Sequence, residues 1–142
     1  MFAKGIGFLD EQTIRRVLSR GARLQLGAQP TSARRARAFV REQVDVRMMD
    51  NAELAASELV TNGVLHAHSD MTLGIVPGDE CVLIAVTDAS AGRPAEHAPS
   101  MSAEGGRGIA LVATIARSWG VQSQDSGKII WCLIDAEPIG VA

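Results

Sequence analysis

Three polar side chains recur every four residues in the stretch ASELVTNGVLHAHSD, residues 56 to 70: Glu58, Asn62 and His66. Steps of four residues rotate by about 40° on an α-helix, so the three side chains share one stripe. All three can therefore face one ligand. The same row is also typical of a solvated helix face, and by itself it leaves both interpretations open.

A carboxylate stands at the end of an apolar run in VTDASAG, where Asp88 is followed by Ser90 and Gly92. Burying a carboxylate at the end of a core strand is costly without a donor, so Asp88 is either solvated in a turn or held for the N–H groups of a ligand. The amino group of adenine is such a donor. The pattern is compatible with a plain turn and with a ligand site.

Glycines cluster in GGRG, the residues Gly105, Gly106, Arg107 and Gly108, directly before an apolar helical pattern. Free backbone N–H groups and the helix dipole at such a helix start suit a phosphate chain, and glycine lets the phosphate come close. Arg107 adds a positive charge. A glycine-rich turn before a helix is equally common in plain loops, so this motif is also weak when taken alone.

The elements that carry these motifs follow from the periodicity of the apolar residues. A helix from about residue 50 to residue 67 has small residues on its core face, which suits close packing onto a sheet. MTLGIV and CVLIAVTD indicate two strands of one hairpin, and GVQSQDSGKIIWCLID indicates a second hairpin. A strand at ARLQLG and a helix after Pro30 precede them.

This order predicts an α/β two-layer sandwich: a mixed, mostly antiparallel sheet with the helices stacked on one face. A doubly wound nucleotide fold is excluded, because the glycines follow a long loop and not the first strand. A Walker A site is excluded as well, because no glycine run is followed by Lys and then Ser or Thr.

The chain has 142 residues, enough for one domain with a real core, and its composition is that of a globular protein with a net charge of −2. We expect residues 1–21 to form an N-terminal extension, either one helix through EQTIRRVLSR or a mobile arm, and residues 22–142 to form the domain. Residues 1–47 carry ten Lys and Arg against four Asp and Glu. This excess is compatible with a surface that meets nucleic acid or an acidic protein, but arginines on exposed helix faces are favoured, and no base-reading motif indicates nucleic acid.

Cys81 and Cys132 lie inside apolar runs, so we expect both thiols to be buried and reduced. Trp119 and Trp131 are predicted to be core anchors. The N-terminus lacks a sustained apolar segment, and no apolar run approaches the roughly 20 residues of a membrane span. The sequence therefore predicts a cytoplasmic protein that does not bind membranes.

Taken together, ExxxNxxxH on a helix, DxSxG at a strand end and GGRG at a helix start resemble the N box and the two glycine boxes of the GHKL ATPases. The stretches SELVTNGVLHA, VTDASAGRP and GGRGIALVATIARSWGV are most similar to the small anti-sigma factor serine/threonine kinases and their actinobacterial relatives. The resemblance covers about residues 22 to 135. It implies a Bergerat-type ATP-binding fold, with ATP and Mg²⁺ as cofactors.

By this resemblance, Glu58 is the catalytic general base, Asn62 helps to hold Mg²⁺, and Asp88 accepts a hydrogen bond from the adenine amino group. His66 completes the row and orients or packs at the helix end. The implied nucleotide-binding residues are Asn62, His66, Asp88, Ser90, Gly92, Gly105, Gly106, Arg107 and Gly108.

Three features depart from the family pattern. Ser90 stands where the first glycine box usually has Gly, and the lid, roughly residues 93 to 104, is short. The last hairpin carries GKII without the Thr that many members place near adenine. Whether Thr87 substitutes for that Thr is left open.

The resemblance implies an ATP-dependent protein serine/threonine kinase that binds a sigma factor and phosphorylates a serine of the factor's antagonist, an anti-anti-sigma protein. An alternative is a nucleotide-gated protein-interaction module with little or no kinase activity. The catalytic half of a histidine kinase is a weaker alternative, because little chain precedes the domain. Relatives often dimerise, so a homodimer is also an open alternative.

Overall fold

The computed structural model describes residues 11–66, 69–88, 106–124 and 127–137. The helices within these ranges are α1 (Glu11–Leu18), α2 (Ser32–Gln43), α3 (Val46–His66) and α4 (Gly106–Ile115). The strands are β1 (Ala22–Leu26), β2 (Met71–Pro77), β3 (Cys81–Asp88), β4 (Ser118–Gln124) and β5 (Gly127–Asp135).

The five strands form one sheet in the order β1-β2-β3-β5-β4. Its four pairings are all antiparallel. Both predicted hairpins, β2 with β3 and β4 with β5, are present. The two hairpins join through β3 and β5, so these strands lie inside the sheet, where a continuous apolar sequence is expected.

Successive side chains of β3 and β5 alternate between two separate apolar clusters, one on each face of the sheet. On the first face, Val82, Ile84 and Val86 of β3 belong to the main core together with residues of α2, α3 and α4. The predicted α/β sandwich is confirmed by this arrangement. The small residues predicted for the core face of α3 are buried there, and Leu59 in their midst is fully buried too.

Helix α1, which belongs to the predicted N-terminal extension, lies on the second face of the sheet, opposite the three helices of the domain. Ile14 is fully buried there with Leu83 and Trp131, and Leu18 packs at the edge of the same cluster. The physical reason is that β3 and β5 are apolar on both faces, so the second face also needs a cover. Of the two alternatives for the N-terminal segment, the helix is confirmed over Glu11–Leu18.

Helix α3 runs along the first face from one end of the sheet to the other. Near its start, the carbonyl of Arg47 accepts a hydrogen bond from Glu137 N at 2.9 Å, and the Arg47 guanidinium pairs with Glu80 at 3.0 Å. Both partners lie at the end of the sheet where Cys81 faces Asp135. The last turns of α3 therefore reach the opposite end, where β3 finishes.

The remaining predictions for the core also agree with the structure. Cys81 and Cys132 are free and buried. Burial raises the pKa of the Cys132 thiol to about 12. Trp131 is 1% exposed, and Trp119 packs against the main core. Among the described residues, no helix is long and apolar enough to cross a membrane.

Candidate functional site

Asp88 is the last residue of β3 and is only 3% exposed. Its side chain lies on the first face of the sheet, because it follows Val86 at the spacing of two residues that keeps to one face. Its neighbours in the sheet are Met71 on β2 and Lys128 on β5. Of the two alternatives for Asp88, a solvated turn does not fit, since the carboxylate is buried.

Lys128, the residue opposite Asp88, is 7% exposed. Among the residues that the structure describes, Asp88 and Lys128 are the two buried charged residues. No role was predicted for Lys128, which lies in the hairpin that lacks the family's Thr. The register of the last hairpin, had it been extended to β3, would have identified it as the neighbour of Asp88.

Asn62 is brought to the same end of the sheet by the close packing of α3. It is 5% exposed, although it is a polar residue on a helix. The next residue, Gly63, lies against the side chain of Met71, which is the strand neighbour of Asp88. Because glycine has no side chain at this contact, the helix backbone approaches the strand closely, and Asn62 comes near the Asp88 end.

The three members of the Glu58, Asn62 and His66 row differ in exposure. Glu58 is partly exposed one helical turn before the buried Asn62, and His66 is exposed at the end of α3. The row is therefore not a uniformly solvated helix face. The buried amide of Asn62 lies between the partly exposed carboxylate of Glu58 and the exposed imidazole of His66.

Helix α4 begins at Gly106, inside the GGRG motif, and ends at Ile115. Directly after the helix, Arg117 N donates to the carbonyl of Leu133 at 2.8 Å. A ten-residue helix is about 15 Å long, close to the roughly 17 Å that separate Leu133 from Lys128 along β5. Helix α4 packs mainly against α3, with Ile109 and Val112 in the main core, and it is long enough to span the distance to the Lys128 end.

Not all of the predicted site residues are among those that the structure describes. Ser90, Gly92 and Gly105 fall outside the described residues. Gly106, Arg107 and Gly108 form the first turn of α4.

Thr87 does not lie beside Asp88 in space, although it precedes it in the chain. Its side chain is on the second face of the sheet, where it lines a cavity of about 330 Å³ together with Arg15, Leu18, Ile129 and other residues near α1. The sheet therefore separates Thr87 from the face that carries Asp88 and Asn62. The open question about Thr87 is resolved against its substitution for the missing Thr.

The described donors at this end of the sheet are compatible with a magnesium ion that is shared with phosphates. The described residues contain no cluster of three or more His, Cys, Asp and Glu side chains that would hold a metal. Mg²⁺ commonly uses one or two protein oxygens and completes its coordination with substrate phosphates and water. The amide oxygen of Asn62 is a ligand of this kind.

Comparison with known proteins gives the same fold. Among the similar solved structures is the histidine kinase domain from the Erythrobacter litoralis EL346 blue-light activated histidine kinase, with a TM-score of 0.53 and 21% sequence identity. The match covers 75% of this chain and 60% of that chain, so this chain spans about three fifths of that domain's length. No curated protein matches the sequence.

The family comparison covers most of the domain. Residues 25–133 match the family model described as the histidine kinase-like ATPase domain. The matched range includes the N-box row, the end of β3, the GGRG motif and the last hairpin. The chain therefore belongs to the histidine kinase-like ATPase domain family, the GHKL type of ATP-binding domain.

Proposed function

We propose that this protein is an anti-sigma-factor type regulator that transfers the γ-phosphate of ATP to a serine of a partner protein. The observation that carries the proposal is the burial of Asn62 and Asp88 at one end of the sheet, joined through the contact of Gly63 with Met71. A nucleotide with its magnesium ion fits this arrangement, because the base offers an N–H donor to a carboxylate and the metal ion accepts an amide oxygen as a ligand.

In this proposal each part of the nucleotide has its own contact. The Asp88 carboxylate would accept a hydrogen bond from the adenine amino group, and the Asn62 amide oxygen would help to hold Mg²⁺. Backbone N–H groups at the start of α4 donate to phosphate oxygens, as helix N-termini commonly do. The magnesium ion supplies charge neutralisation to the phosphoryl group.

Phosphoryl transfer then needs a group that takes the proton of the attacking hydroxyl. Glu58 is partly exposed one turn from Asn62, which suits a base that must meet a protein substrate. Its carboxylate takes the serine proton as the serine Oγ forms a bond to the γ-phosphorus. The bond from that phosphorus to the β–γ bridging oxygen breaks, and ADP leaves.

The surface around Glu58 also favours a protein as the acceptor. Leu54 and Leu65 are 36% and 53% exposed. They lie four residues before and seven residues after Glu58, so they share its stripe on α3. Exposed apolar side chains on both sides of a base fit a docking protein better than a small molecule. We propose a sigma factor and its serine-bearing antagonist as the partners, with a homodimer as a further assembly.

The test is phosphate transfer from γ-labelled ATP to candidate antagonist proteins, combined with calorimetry of ATP binding. We expect Glu58→Gln to lose transfer by at least about a hundredfold while it retains ATP affinity. Asn62→Ala should lose Mg²⁺-dependent affinity. A matched control is Glu53→Gln, because Glu53 is on the same helix and its carboxylate pairs with Arg41 at 3.0 Å. Transfer that persists in Glu58→Gln, or ATP binding that is absent from the wild type, overturns the proposal.

A nucleotide-gated interaction module without transfer is the second candidate. The observation that favours it is Lys128 opposite Asp88 in a last hairpin without the family's Thr, because a changed base pocket is compatible with binding that no longer serves turnover. In that case ATP would alter the affinity for the partner equally in the wild type and in Glu58→Gln.

A further inference from the structure

The two buried charges of the described chain face each other across one pair of strands. Asp88 of β3 and Lys128 of β5 are direct partners in the antiparallel register. Side chains of directly opposed residues project from the same face, with Cβ atoms about 4.5–5.5 Å apart. The ammonium and the carboxylate are therefore placed at the same end of the sheet and on the same face, the face that carries α3.

Both groups are more buried than such charges usually are. Lysine and aspartate are almost never fully buried unless they are paired, because transfer of a charge out of water is costly. The lysine ammonium has three donors and the aspartate carboxylate has several acceptor positions. Each group has more than one hydrogen-bonding position, so two such groups opposed on one face of the sheet can present a donor beside an acceptor to a bound ligand.

We propose that Lys128 is a specificity residue for the base of the nucleotide, and that its ammonium donates a hydrogen bond to N1 of adenine. This proposal rests on the proposed function, in which Asp88 accepts from the amino group at C6. In adenine the acceptor N1 is bonded to the carbon that carries that amino group. A donor and an acceptor on neighbouring strands therefore match two adjacent positions on one edge of the base.

The same pair opposes bases that have the reverse pattern. Hypoxanthine and guanine have an oxygen acceptor at C6 and an N–H donor at N1. In the position of adenine, the oxygen at C6 would face the Asp88 carboxylate and the N–H at N1 would face the Lys128 ammonium. Two mismatched contacts at buried groups leave both charges without their ligand partners, so binding of these bases is disfavoured.

The test is calorimetric binding of ATP, 1-deaza-ATP and inosine triphosphate. In 1-deaza-ATP a C–H group replaces N1, so only the contact assigned to Lys128 is lost. We expect the wild type to bind 1-deaza-ATP about ten to a hundred times more weakly than ATP, the range of one hydrogen bond to a charged group. In Lys128→Met the two nucleotides should bind within about twofold of each other, because this variant lacks the donor that distinguishes N1 from a C–H group.

Thr87→Val serves as the matched control, because Thr87 is beside Asp88 in the chain but on the other face of the sheet. Its preference for ATP over 1-deaza-ATP should equal that of the wild type. Equal affinities of the wild type for ATP and 1-deaza-ATP overturn the role of Lys128. This measurement uses only the wild-type protein, so it does not depend on whether a variant folds. Inosine triphosphate bound more tightly than ATP overturns it as well. Failure of the wild type to bind any nucleotide would instead overturn the proposed function, and this assignment with it.

Discussion

Gly63 of α3 lies directly against the thioether of Met71, the residue of β2 that is paired with Asp88. This contact joins the helix that carries Asn62 to the strand pair that carries Asp88. A Cβ atom added at Gly63 would overlap the Met71 sulfur, and Met71 is 1% exposed, so it has little room to move. The separation between Asn62 and Asp88 therefore depends on a residue without a side chain at this position.

Gly63→Ala should destabilise the fold by about 1–3 kcal/mol, since overpacking of a close contact forces a side-chain or backbone shift. It should also weaken ATP binding, because α3 moves away from the sheet. Urea unfolding and calorimetry measure the two effects. Gly27→Ala is the control, because the nearest atom to an added Cβ there is 3.5 Å away. In a double variant with Met71→Ala, the destabilisation should be smaller than the sum of the single effects. Strict additivity would contradict the contact.

Changes in helix α1 should alter the stability of the fold without altering the affinity for ATP. Ile14 is fully buried on the second face of the sheet, so Ile14→Ala should lower the free energy of unfolding by about 2–5 kcal/mol. The affinity for ATP should stay within about twofold of the wild type, because Asp88 and Asn62 are on the other face. Arg16→Ala, at an exposed position of the same helix, is expected to change neither quantity. An Ile14→Ala variant of unchanged stability would show that α1 does not cover the sheet in solution.

The strands and the site helix could be predicted from the sequence because their signals are local. CVLIAVTD corresponds to β3, from Cys81 to Asp88, and the apolar spacing of α3 identified its core face. Helix α3 starts earlier than predicted, at Val46. Asp45 accounts for this, since its Oδ1 accepts a hydrogen bond from Arg47 N at 2.8 Å, a contact typical of a residue that caps a helix start.

The position of α1 and the partner of Asp88 could not be predicted in the same way, because each depends on contacts between distant segments. A signal for α1 was nevertheless present in β3 and β5, whose unbroken apolar runs indicate strands that are buried on both faces. The pairing of Asp88 with Lys128 requires the register between two hairpins. The motifs indicated that the last hairpin lacks the family's Thr, but only the sheet shows that Lys128 faces Asp88.

Because the Cys132 thiol is buried, we expect the free energy of unfolding to decrease at alkaline pH. Burial raises its pKa from 9.0 to about 12, so the folded state holds this proton where the unfolded state releases it. The stabilisation is fully present below pH 9 and is lost as the pH rises from 9 toward 12, by about 1.4 kcal/mol per pH unit. Urea unfolding of the wild type and of Cys132→Ala at pH 8 and pH 10 measures the effect. The variant should show a smaller loss between the two pH values, and equal losses would contradict the burial of this thiol.

Gly127 begins β5 with a φ of 145°, a backbone conformation that residues with a side chain rarely adopt. Gly127→Ala should therefore destabilise the protein by about 1–3 kcal/mol. Lys128 follows directly, and a shift of the strand by one residue would move its side chain to the face of α1. The variant should thus also lose part of its preference for ATP over 1-deaza-ATP, whereas Gly27→Ala, where no positive φ is required, should keep it. A Gly127→Ala protein that loses stability but keeps the full nucleotide preference would show that Lys128 is held in place by its pairing with β3 and not by the backbone conformation of Gly127.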